Sequence, residues 1–470
     1  MKHKESLDVI GDAELNGKSL DQFHHLSKYG TPTSVFDFKV FEFIKDNYSI
    51  FVCGFPYVYS GGVYHPDRNG TKVKQIIRGL LYEQFIKSRV INSIYTLIVD
   101  AEELQKDFSE LNNFPTSYIN FRDCMVDAKT LKEVPHSPEY LTINQLPYLY
   151  SDVKQAINGK EMEQFLGFIF DRQDDRKMLL EYAGLCFTAD TSQQKFLIIC
   201  GLGGTGKSVL IRLIETAVGI DNISNISMQE LSRRFATSIL VGKLLNSCAD
   251  LSNEALEDDS TIKKLLGEDM MSAERKGENA FMFRNYARLI FSTNMLPLIR
   301  AERTNGFYRR LLVLKMDRQP EKQDTELADK LIKEIHYFIR ISVLALHEMY
   351  QKGSITVSKN SEQAVMQMRS DSDVVEGWIE NCCTMDTGLK IERGAAFADF
   401  IKYCSIEERQ PLTKNGFFRA LRAKGLGETK GKNERYFTGI STGKNAEKSA
   451  EKSAGFMELA PGQLEELPFQ

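Results

Sequence analysis

A phosphate-binding loop between a buried strand and a helix is the feature of this 470-residue sequence that most constrains its fold. Residues 196–200 form a short, continuously apolar run, which is typical of a strand buried on both faces of a parallel sheet. The loop GLGGTGKS follows at 201–208, and residues 209–214 have helix-forming character. This is G-x-x-x-x-G-K-[ST] in the strand-loop-helix context that the motif requires. The sequence therefore predicts an α/β fold with a parallel sheet and a nucleotide-binding loop.

Each residue type of this loop has a physical role in holding a triphosphate. Glycines let successive backbone N–H groups turn towards the phosphates, and the helix N-terminus adds partial positive charge. Lys207 is expected to reach the β and γ phosphates, and the Ser208 hydroxyl to ligate Mg²⁺. The predicted cofactors are therefore ATP and Mg²⁺. The predicted binding residues are Gly201, Gly203, Gly204, Thr205, Gly206, Lys207 and Ser208.

Two further apolar runs end in polar residues suited to the same site. Residues 239–249 end in Asp250, and a carboxylate at the C-terminal end of a core strand is where an acid holds Mg²⁺ and its water shell. No second carboxylate adjoins it, so the base is assigned either to Glu254, one helical turn on, or to a water positioned by other groups. Residues 288–293 end in Asn294, whose amide is placed to hydrogen-bond the γ-phosphate or its attacking water. The predicted catalytic residues of the loop and these strands are Lys207, Asp250, Glu254 and Asn294, and the predicted metal ligands are Ser208 and Asp250.

The bulk composition bounds the compartment and the partners. Sixty Lys and Arg against 64 Asp and Glu give a formal net charge of −4, so a polyanionic partner would need local positive charge. The 8 cysteines include no C-x-x-C pair, and they indicate thiols of a reducing cytosol. No secretory signal and no run of about 18 apolar residues is present in the sequence. We expect a cytoplasmic protein without membrane contact.

The order and spacing of these motifs resemble the superfamily III helicases, which are AAA+ ATPases of DNA viruses, phages and plasmids. Loop, acid and Asn lie within residues 201–294. The likeness also rests on the phrases VGKLLN at 241–246, AERKG at 273–277, LIFSTN at 289–294 and GFYRRL at 306–311. It is greatest for the phage and plasmid primase-helicase group, including the initiator helicases of phage satellites and staphylococcal pathogenicity islands, and it extends from about residue 35 to about residue 440.

The resemblance implies an architecture of three domains. Residues 31–160 would be the α+β helicase-associated domain, residues 161–355 the AAA+ ATPase core with its parallel sheet, and residues 356–440 a winged-helix DNA-binding domain. Residues 1–30 are polar without a clear period and are expected to be a flexible arm. Residues 441–470, in which AEKS occurs at both 446–449 and 450–453, are expected to be a disordered tail.

Two basic segments near Asn294 gain roles from the resemblance. Residues 273–281 have a Gly-centred turn between extended residues, which predicts a β-hairpin. In the helicases that this chain resembles, such a hairpin carries a basic residue to DNA in the ring channel. Arg275 and Lys276 are the candidates, and an ordinary charged hairpin tip is the alternative. Arg309 and Arg310 precede the apolar strand 311–314, where an arginine of the family reaches the γ-phosphate of a neighbouring subunit. The other arginine would be structural, and Arg303 is a third candidate whose alternative is a surface charge.

Local positive charge is concentrated near the C-terminus. Residues 411–435 contain seven Lys or Arg and two Glu. They follow a helix at 395–404 and comprise an N-capped helix at 413–425 and the start of a basic hairpin at 430–440, the order of a winged helix. Such a domain can also mediate protein contact. The predicted DNA-binding residues are Lys414, Arg419, Arg422, Lys430, Lys432 and Arg435.

With these residues, the resemblance implies an ATP-driven hexameric replicative DNA helicase and replication initiator of a mobile genetic element. It would translocate on single-stranded DNA in the ring channel, 3′ to 5′ by resemblance alone, and bind double-stranded origin DNA through the winged helix. Host replication proteins are further expected partners, because residues 463–469 resemble clamp-binding peptides; a disordered end is the alternative. No priming activity is expected. Two other functions stay open: an origin-binding ATPase that uses ATP as an assembly switch, and a P-loop kinase.

Overall fold

The structure is a computed structural model that describes residues 19–249, 251, 260–267, 269–277, 279–297, 306–407, 409, 411–431 and 434–443. Two compact units divide the chain, unit 1 (Met1–Val365) and unit 2 (Met366–Gln470). The expected domain boundaries at residues 30, 160, 355 and 440 stay predictions. Within the described ranges, every helix lacks the combination of length and apolar character that a membrane span needs.

The first part of unit 1 contains three small antiparallel sheets beside three packed helices. The strands are β1 (His24–Leu26) with β2 (Pro32–Val35), then β3 (Ile50–Val52), β4 (Pro56–Ser60) and β5 (Val63–Pro66), and then β6 (Tyr118–Asn120), β7 (Met125–Asp127) and β8 (Lys132–Val134). The helices are α1 (Asp37–Asn47), α2 (Thr71–Gly79) and α3 (Ser88–Asp100). Val40, Ile77 and Ile94, one from each helix, are fully buried in a common core because the apolar residues recur at helical spacing.

The expected flexible arm, residues 1–30, differs from the structure in its second part. Residues 1–18 lie outside the described residues. Leu20–Phe23 forms a 3₁₀ turn, and β1 follows it and pairs with β2. Phe23 is only 2% exposed and belongs to the core of α1 to α3. Its burial holds in place a segment whose polar composition did not indicate an ordered structure.

The second part of unit 1 is the predicted parallel sheet with its helices. Its elements are α4 (Tyr150–Gln155), α5 (Lys160–Ile169), α6 (Gln173–Leu185), β9 (Phe196–Cys200), α7 (Lys207–Val218), β10 (Ile223–Ser224), α8 (Ala236–Ile239), β11 (Leu245–Cys248), α9 (Ser260–Leu266), β12 (Met270–Ala273), β13 (Phe281–Arg284), β14 (Arg288–Thr293), β15 (Leu311–Lys315), α10 (Leu327–Lys333) and α11 (Ile335–Lys352). α12 (Lys359–Ser372) follows. The five parallel strands are ordered β10-β11-β14-β9-β15. The α/β fold is therefore confirmed.

This strand order determines where the site lies. Phe196, Leu197, Ile198 and Ile199 are each 0% exposed, as expected of a strand buried on both faces. β14 lies between β9 and β11, so the carboxyl ends of these three strands are adjacent. In the sequence, β9 is followed by the loop, β14 by Asn294, and β11 by the segment that contains Asp250. One prediction was wrong in extent, because the apolar run 239–249 is a strand only from Leu245. Its first residue ends α8, and Gly242 turns the chain with a φ of +74°.

Unit 2 is a small α+β unit of its own. It contains α13 (Val374–Cys382), β16 (Cys383–Glu392), α14 (Arg393–Ile406), α15 (Lys414–Ala423), β17 (Gly427–Lys430) and β18 (Arg435–Thr442), with an antiparallel sheet ordered β16-β18-β17. Trp378, Phe400 and Phe417 are fully buried at its centre. The predicted N-cap is present, since the Thr413 hydroxyl accepts a hydrogen bond from the backbone N–H of Gly416 at 3.2 Å.

Candidate functional site

The loop between β9 and α7 depends on its glycines for space and for conformation. A Cβ at Gly201 would lie 2.1 Å from the carbonyl oxygen of Met316, on the chain just after β15, so no side chain fits there. Gly204 and Gly206 have φ values of +80° and +93°, which other residues rarely adopt. The Thr205 hydroxyl donates to the carbonyl of Leu202 at 3.0 Å, within the loop. The local sequence thus sets a tight turn directly before the first turn of α7.

Lys207 connects this loop to the end of the neighbouring strand. Its side-chain ammonium donates to the carbonyl oxygens of Gly201 and Leu202 at 2.5 and 2.9 Å, and to Oδ1 of Asn294 at 3.0 Å. The residue is 8% exposed, and these oxygen acceptors offset the cost of burying its charge. Lys207 and Asn294, 87 residues apart in sequence, are therefore brought into direct contact.

A cleft of about 650 Å³ opens beside the loop. Loop residues 203–208 and Asn294 line one side, and the segment 320–327 lines another. The third side is α5, which contributes Gln164, Phe165 and Phe168. Phe168 is 38% exposed and gives this wall an apolar, aromatic part beside the polar loop. The volume suits a nucleotide-sized molecule rather than a phosphate group alone.

The sequence patterns did not reveal this wall of the cleft. Phe168 and Gln164 lie one turn apart on α5, where they contribute only two residues of an ordinary amphipathic pattern. The segment after β15 was likewise missed, although the Gln319 side-chain amide donates to the carbonyl of Gly203 at 2.6 Å. No local motif marks either segment, because both reach the loop only through tertiary packing.

Of the two predicted metal ligands, Ser208 lies within the described residues. The Ser208 side chain is exposed and lines the cleft beside Lys207. Asp250, Glu254 and Arg303 lie outside the described residues. The chain that follows β11 runs along the end of β14, since the N–H of Leu251 donates to the carbonyl of Ser292 at 2.8 Å. An exposed hydroxyl at this place fits Mg²⁺, which commonly takes few protein ligands and completes its shell with phosphates and waters.

The two adjacent arginines lie at the opposite edge of the sheet and differ in environment. Arg310 donates to the carbonyl of Gly306 at 2.9 Å and to Oε1 of Gln194 at 3.3 Å, so its guanidinium is held within the chain. Arg309 is exposed, while its backbone carbonyl accepts from the Lys195 ammonium at 2.5 Å. Burial, with a smaller contribution from the nearby Arg309 charge, lowers the pKa of Lys195. Of the two, Arg309 is the one presented to the surroundings.

The predicted hairpin is present as β12 and β13. Ala273 pairs with Phe281, and the turn includes Gly277 at a φ of +84°. Lys276 is exposed beside this glycine. Arg275 is half-buried and lies against aromatic rings, so the two basic candidates are in different surroundings.

Of the six basic residues predicted to bind DNA in unit 2, five lie within the described residues, and all five are exposed. The exposed set is Lys414, Arg419, Arg422, Lys430 and Arg435. Of these, Arg422 donates to the Glu428 carboxylate at 2.9 Å. Lys432 lies outside the described residues. Arg393 was missed by the sequence; its guanidinium lies 4.0 Å from the Phe418 ring and 3.8 Å from the same Glu428. Glu428 therefore neutralises part of this surface.

Two family matches cover separate parts of unit 1. Residues 73–171 match the family described as "D5 N terminal like", and residues 199–310 match one described as "Family of unknown function (DUF5906)". The second match contains the loop, β14 and the adjacent arginines.

Similar proteins and structures are distant. "Putative helicase L207/L206" of Acanthamoeba polyphaga mimivirus is 22% identical over 262 residues, which are 49% of this chain and 27% of that protein. The chain thus spans about a quarter of the length of this curated relative. An apo structure of the NrS-1 C-terminal region has a TM-score of 0.47 at 12% identity, covering 88% of this chain and 100% of that chain. A structure of NrS-1 residues 305–718 gives 0.48 at 12% identity, with 86% and 100% covered. By the matched family and the viral relative, the chain is similar to replication-related helicases of the phage primase-helicase kind.

Proposed function

We propose that this chain is an ATP-driven replicative DNA helicase of a mobile genetic element, acting in the cytoplasm as a ring of identical subunits on single-stranded DNA. The observation that carries the proposal is the meeting of Lys207, Ser208 and Asn294 in one cleft at the carboxyl edge of a parallel sheet. Nucleotide ligands bind at this edge in open α/β sheets. The motif order, resembling superfamily III, supports an AAA+ assignment with six subunits and 3′ to 5′ movement.

The residues of the cleft divide the work of ATP binding. Backbone N–H groups of the loop and the N-terminus of α7 would hold the phosphates, and the exposed Phe168 ring would stack on the nucleobase at the far wall. The Lys207 ammonium would leave its carbonyl acceptors for the β and γ phosphates. Ser208, with Asp250, would hold Mg²⁺, which neutralises developing phosphate charge when bound.

Hydrolysis needs a positioned water and charge stabilisation at the γ-phosphate. The amide of Asn294, already within hydrogen-bond distance of Lys207, is suited to orient the attacking water. Arg309 would supply the second positive charge to the site of a neighbouring subunit, since it is exposed at the other edge of the sheet. The base is Glu254 or a water.

Two basic surfaces would contact DNA. Lys276 at the hairpin tip would hold the phosphate backbone of the single strand in the channel, a contact that is independent of sequence. Unit 2, as a winged helix, would bind double-stranded origin DNA through α15 and the β17–β18 hairpin. Host replication proteins, a clamp among them, are further proposed partners.

The motor proposal is tested by ATP turnover and strand displacement together. Wild type should hydrolyse ATP faster with single-stranded DNA and should displace a labelled strand. Lys207→Ala should lose both activities by about 10²-fold or more, because one preorganised charge at the transferring phosphate is removed. Lys129→Ala, an exposed lysine outside the cleft lining, is the control and should match wild type.

The alternatives predict different results in the same assay. Turnover without strand displacement would indicate an assembly switch. Turnover indifferent to DNA but dependent on a small phosphate acceptor would indicate a kinase. Equal activity of Lys207→Ala and wild type would reject the cleft as the site of hydrolysis.

Origin binding by unit 2 is tested separately, on duplex DNA. Arg419→Ala in the full chain removes an exposed cation of α15, and duplex affinity should fall several-fold with a smaller salt slope, by about 0.9 per lost phosphate contact. Footprinting on element DNA measures both quantities. An unchanged footprint for the double variant Lys414→Ala/Arg419→Ala would exclude α15 as a DNA contact.

A further inference from the structure

Two residues next to the tip of the β12–β13 hairpin, Glu274 and Arg275, contact other segments of unit 1. Glu274, just after β12, accepts two hydrogen bonds from the Arg234 guanidinium at 2.9 and 2.6 Å. The guanidinium of the next residue, Arg275, lies near three aromatic rings. The following residue, Lys276, is exposed. Three consecutive side chains of this segment therefore have three different environments.

The rings around Arg275 come from distant segments. Its guanidinium lies 4.9 Å from the centre of the Phe281 ring, 5.6 Å from Phe108 and 5.9 Å from Phe55. Phe281 begins β13, whereas Phe55 lies in the turn before β4 and Phe108 in a 3₁₀ turn. We call these four residues the aromatic clamp.

The clamp is a packed unit rather than a chance approach. The Phe108 and Phe281 rings are 4.7 Å apart, so the hairpin strand contacts the 3₁₀ turn directly. Asp107 and Glu110 close that turn with a reciprocal capping box, which fixes the position of Phe108. The third ring of the clamp, that of Phe55, has a second guanidinium nearby, because that of Arg68 lies 4.7 Å from its centre. The hairpin root, meaning Arg275 and Phe281 at its base, therefore contacts Phe55 and Phe108, which lie within the range 31–160 expected to be the helicase-associated domain.

We propose that Arg275 is a positioning residue: it braces the hairpin against Phe55 and Phe108, and Lys276 makes the phosphate contact. Cation–π attraction to several rings favours the guanidinium in the clamp, whereas a DNA contact would require it to leave them. An exposed lysine beside the left-handed Gly277 has no such cost. The DNA part of this inference rests on the proposed function; the bracing does not.

Bracing is tested without DNA by native-state proteolysis. Trypsin cleaves after Arg275 and Lys276 when the hairpin opens locally, so the summed rate of cleavage at these two bonds measures how firmly the base of the hairpin is held. Phe108→Ala removes a clamp ring and leaves the sequence around the cleaved bonds intact, and it should raise the rate about 3- to 10-fold. Phe85→Ala, a half-buried phenylalanine of another 3₁₀ turn, is the matched control and should leave the rate unchanged.

The role in DNA binding is tested by the salt dependence of single-stranded DNA affinity. Each lost phosphate contact reduces the slope of log affinity against log salt by about 0.7. Lys276→Ala should therefore flatten the slope. Arg275→Ala should keep the wild-type slope while lowering DNA-stimulated ATP turnover, and Arg275→Lys, which keeps a cation over the rings, should restore part of that turnover.

The outcomes separate the brace from the motor. Faster cleavage in Phe108→Ala together with an unchanged slope in Arg275→Ala supports the inference. It is overturned if Phe108→Ala is cleaved at the wild-type rate, or if Arg275→Ala flattens the slope as Lys276→Ala does. If wild type binds no single-stranded DNA, the proposed function fails, and the cleavage rates alone decide the brace.

Discussion

The two edges of the parallel sheet carry different kinds of positive charge. At the carboxyl edge, Lys207 is buried and bonded to the loop and to Asn294. At the amino edge, Arg309 is exposed, while its neighbour Arg310 is bonded to Gly306 and Gln194. Leu311, directly after these arginines, pairs with Phe196 at the start of β9, and the loop begins only after Cys200.

The length of β9 gives this difference its meaning. At about 3.3 Å per residue, the distance from Phe196 at the amino end of β9 to Cys200 at its carboxyl end is roughly 13 Å. Arg309 therefore starts a full strand length away from the nucleotide that its own chain would bind. Under the proposed function, one chain supplies the binding cleft and its neighbour the arginine, so hydrolysis requires assembly.

The largest expected effect comes from removing the exposed charge at the amino edge. Arg309→Ala should reduce kcat for ATP by about 10³-fold or more, since an arginine supplied across an interface stabilises mainly the transition state. ATP affinity should stay within about twofold of wild type, because the binding groups of the cleft are untouched. Steady-state turnover with single-stranded DNA and equilibrium binding of a fluorescent ATP analogue measure the two quantities.

Mixed assemblies sharpen this comparison of the two edges. Subunits with Arg309→Ala retain a whole cleft, and subunits with Lys207→Ala retain the arginine. Mixing two inactive variants should therefore restore part of the turnover at interfaces that pair an intact cleft with an intact arginine. Arg310→Ala is the comparator: it removes bonds within the chain and should lower the Tm. A mixture that stays inactive while still forming the assembly would exclude a role for Arg309 across the interface.

The sequence was informative about the centre of the fold and less so about its borders. β9 and β14 could be predicted because strands buried on both faces require continuous apolar runs. The run 239–249 is interrupted by Gly242 and Lys243, and it becomes a strand only from Leu245. Its first residue ends α8, and short apolar stretches of this kind do not distinguish a strand from the end of a buried helix. Residues 24–26 form a strand through backbone pairing with β2, which leaves no pattern in polar side chains.

For the candidate site, predictability followed the range of the interactions. Lys207 and Ser208 are specified by a local motif, and Asn294 by its place after a core strand. The cleft wall at Phe168 and the aromatic clamp at Arg275 each join segments far apart in sequence. Nothing in the neighbouring residues encodes those contacts, so Arg275 and Lys276 were equivalent until the structure placed them differently.

A smaller effect is expected at the carboxyl edge from changing the partner of Lys207. Asn294→Asp places a carboxylate where the amide oxygen accepts from the Lys207 ammonium at 3.0 Å. The resulting ion pair would compete with the phosphates for Lys207 and would repel them, which should weaken ATP binding about 10- to 100-fold. Asn294→Ala introduces no carboxylate to compete for Lys207, so the ATP affinity of this variant should be near that of wild type. Its ATP turnover should be lower by up to about 10²-fold, because the amide that orients the water is lost.

The contrast between these two variants decides whether Asn294 acts on the lysine or on the water. If Asp weakens binding and Ala slows turnover, both contacts of the amide are functional. Equal weakening of binding in both variants would instead mean that the amide serves to hold Lys207 in place, and the attacking water would then be oriented by another group. Because either result leaves the amino edge intact, Arg309→Ala combined with Asn294→Ala should lose more ATP turnover than either variant alone, as expected of two groups that stabilise the transition state independently. A double variant no slower than Arg309→Ala would instead mean that the two groups act as a unit.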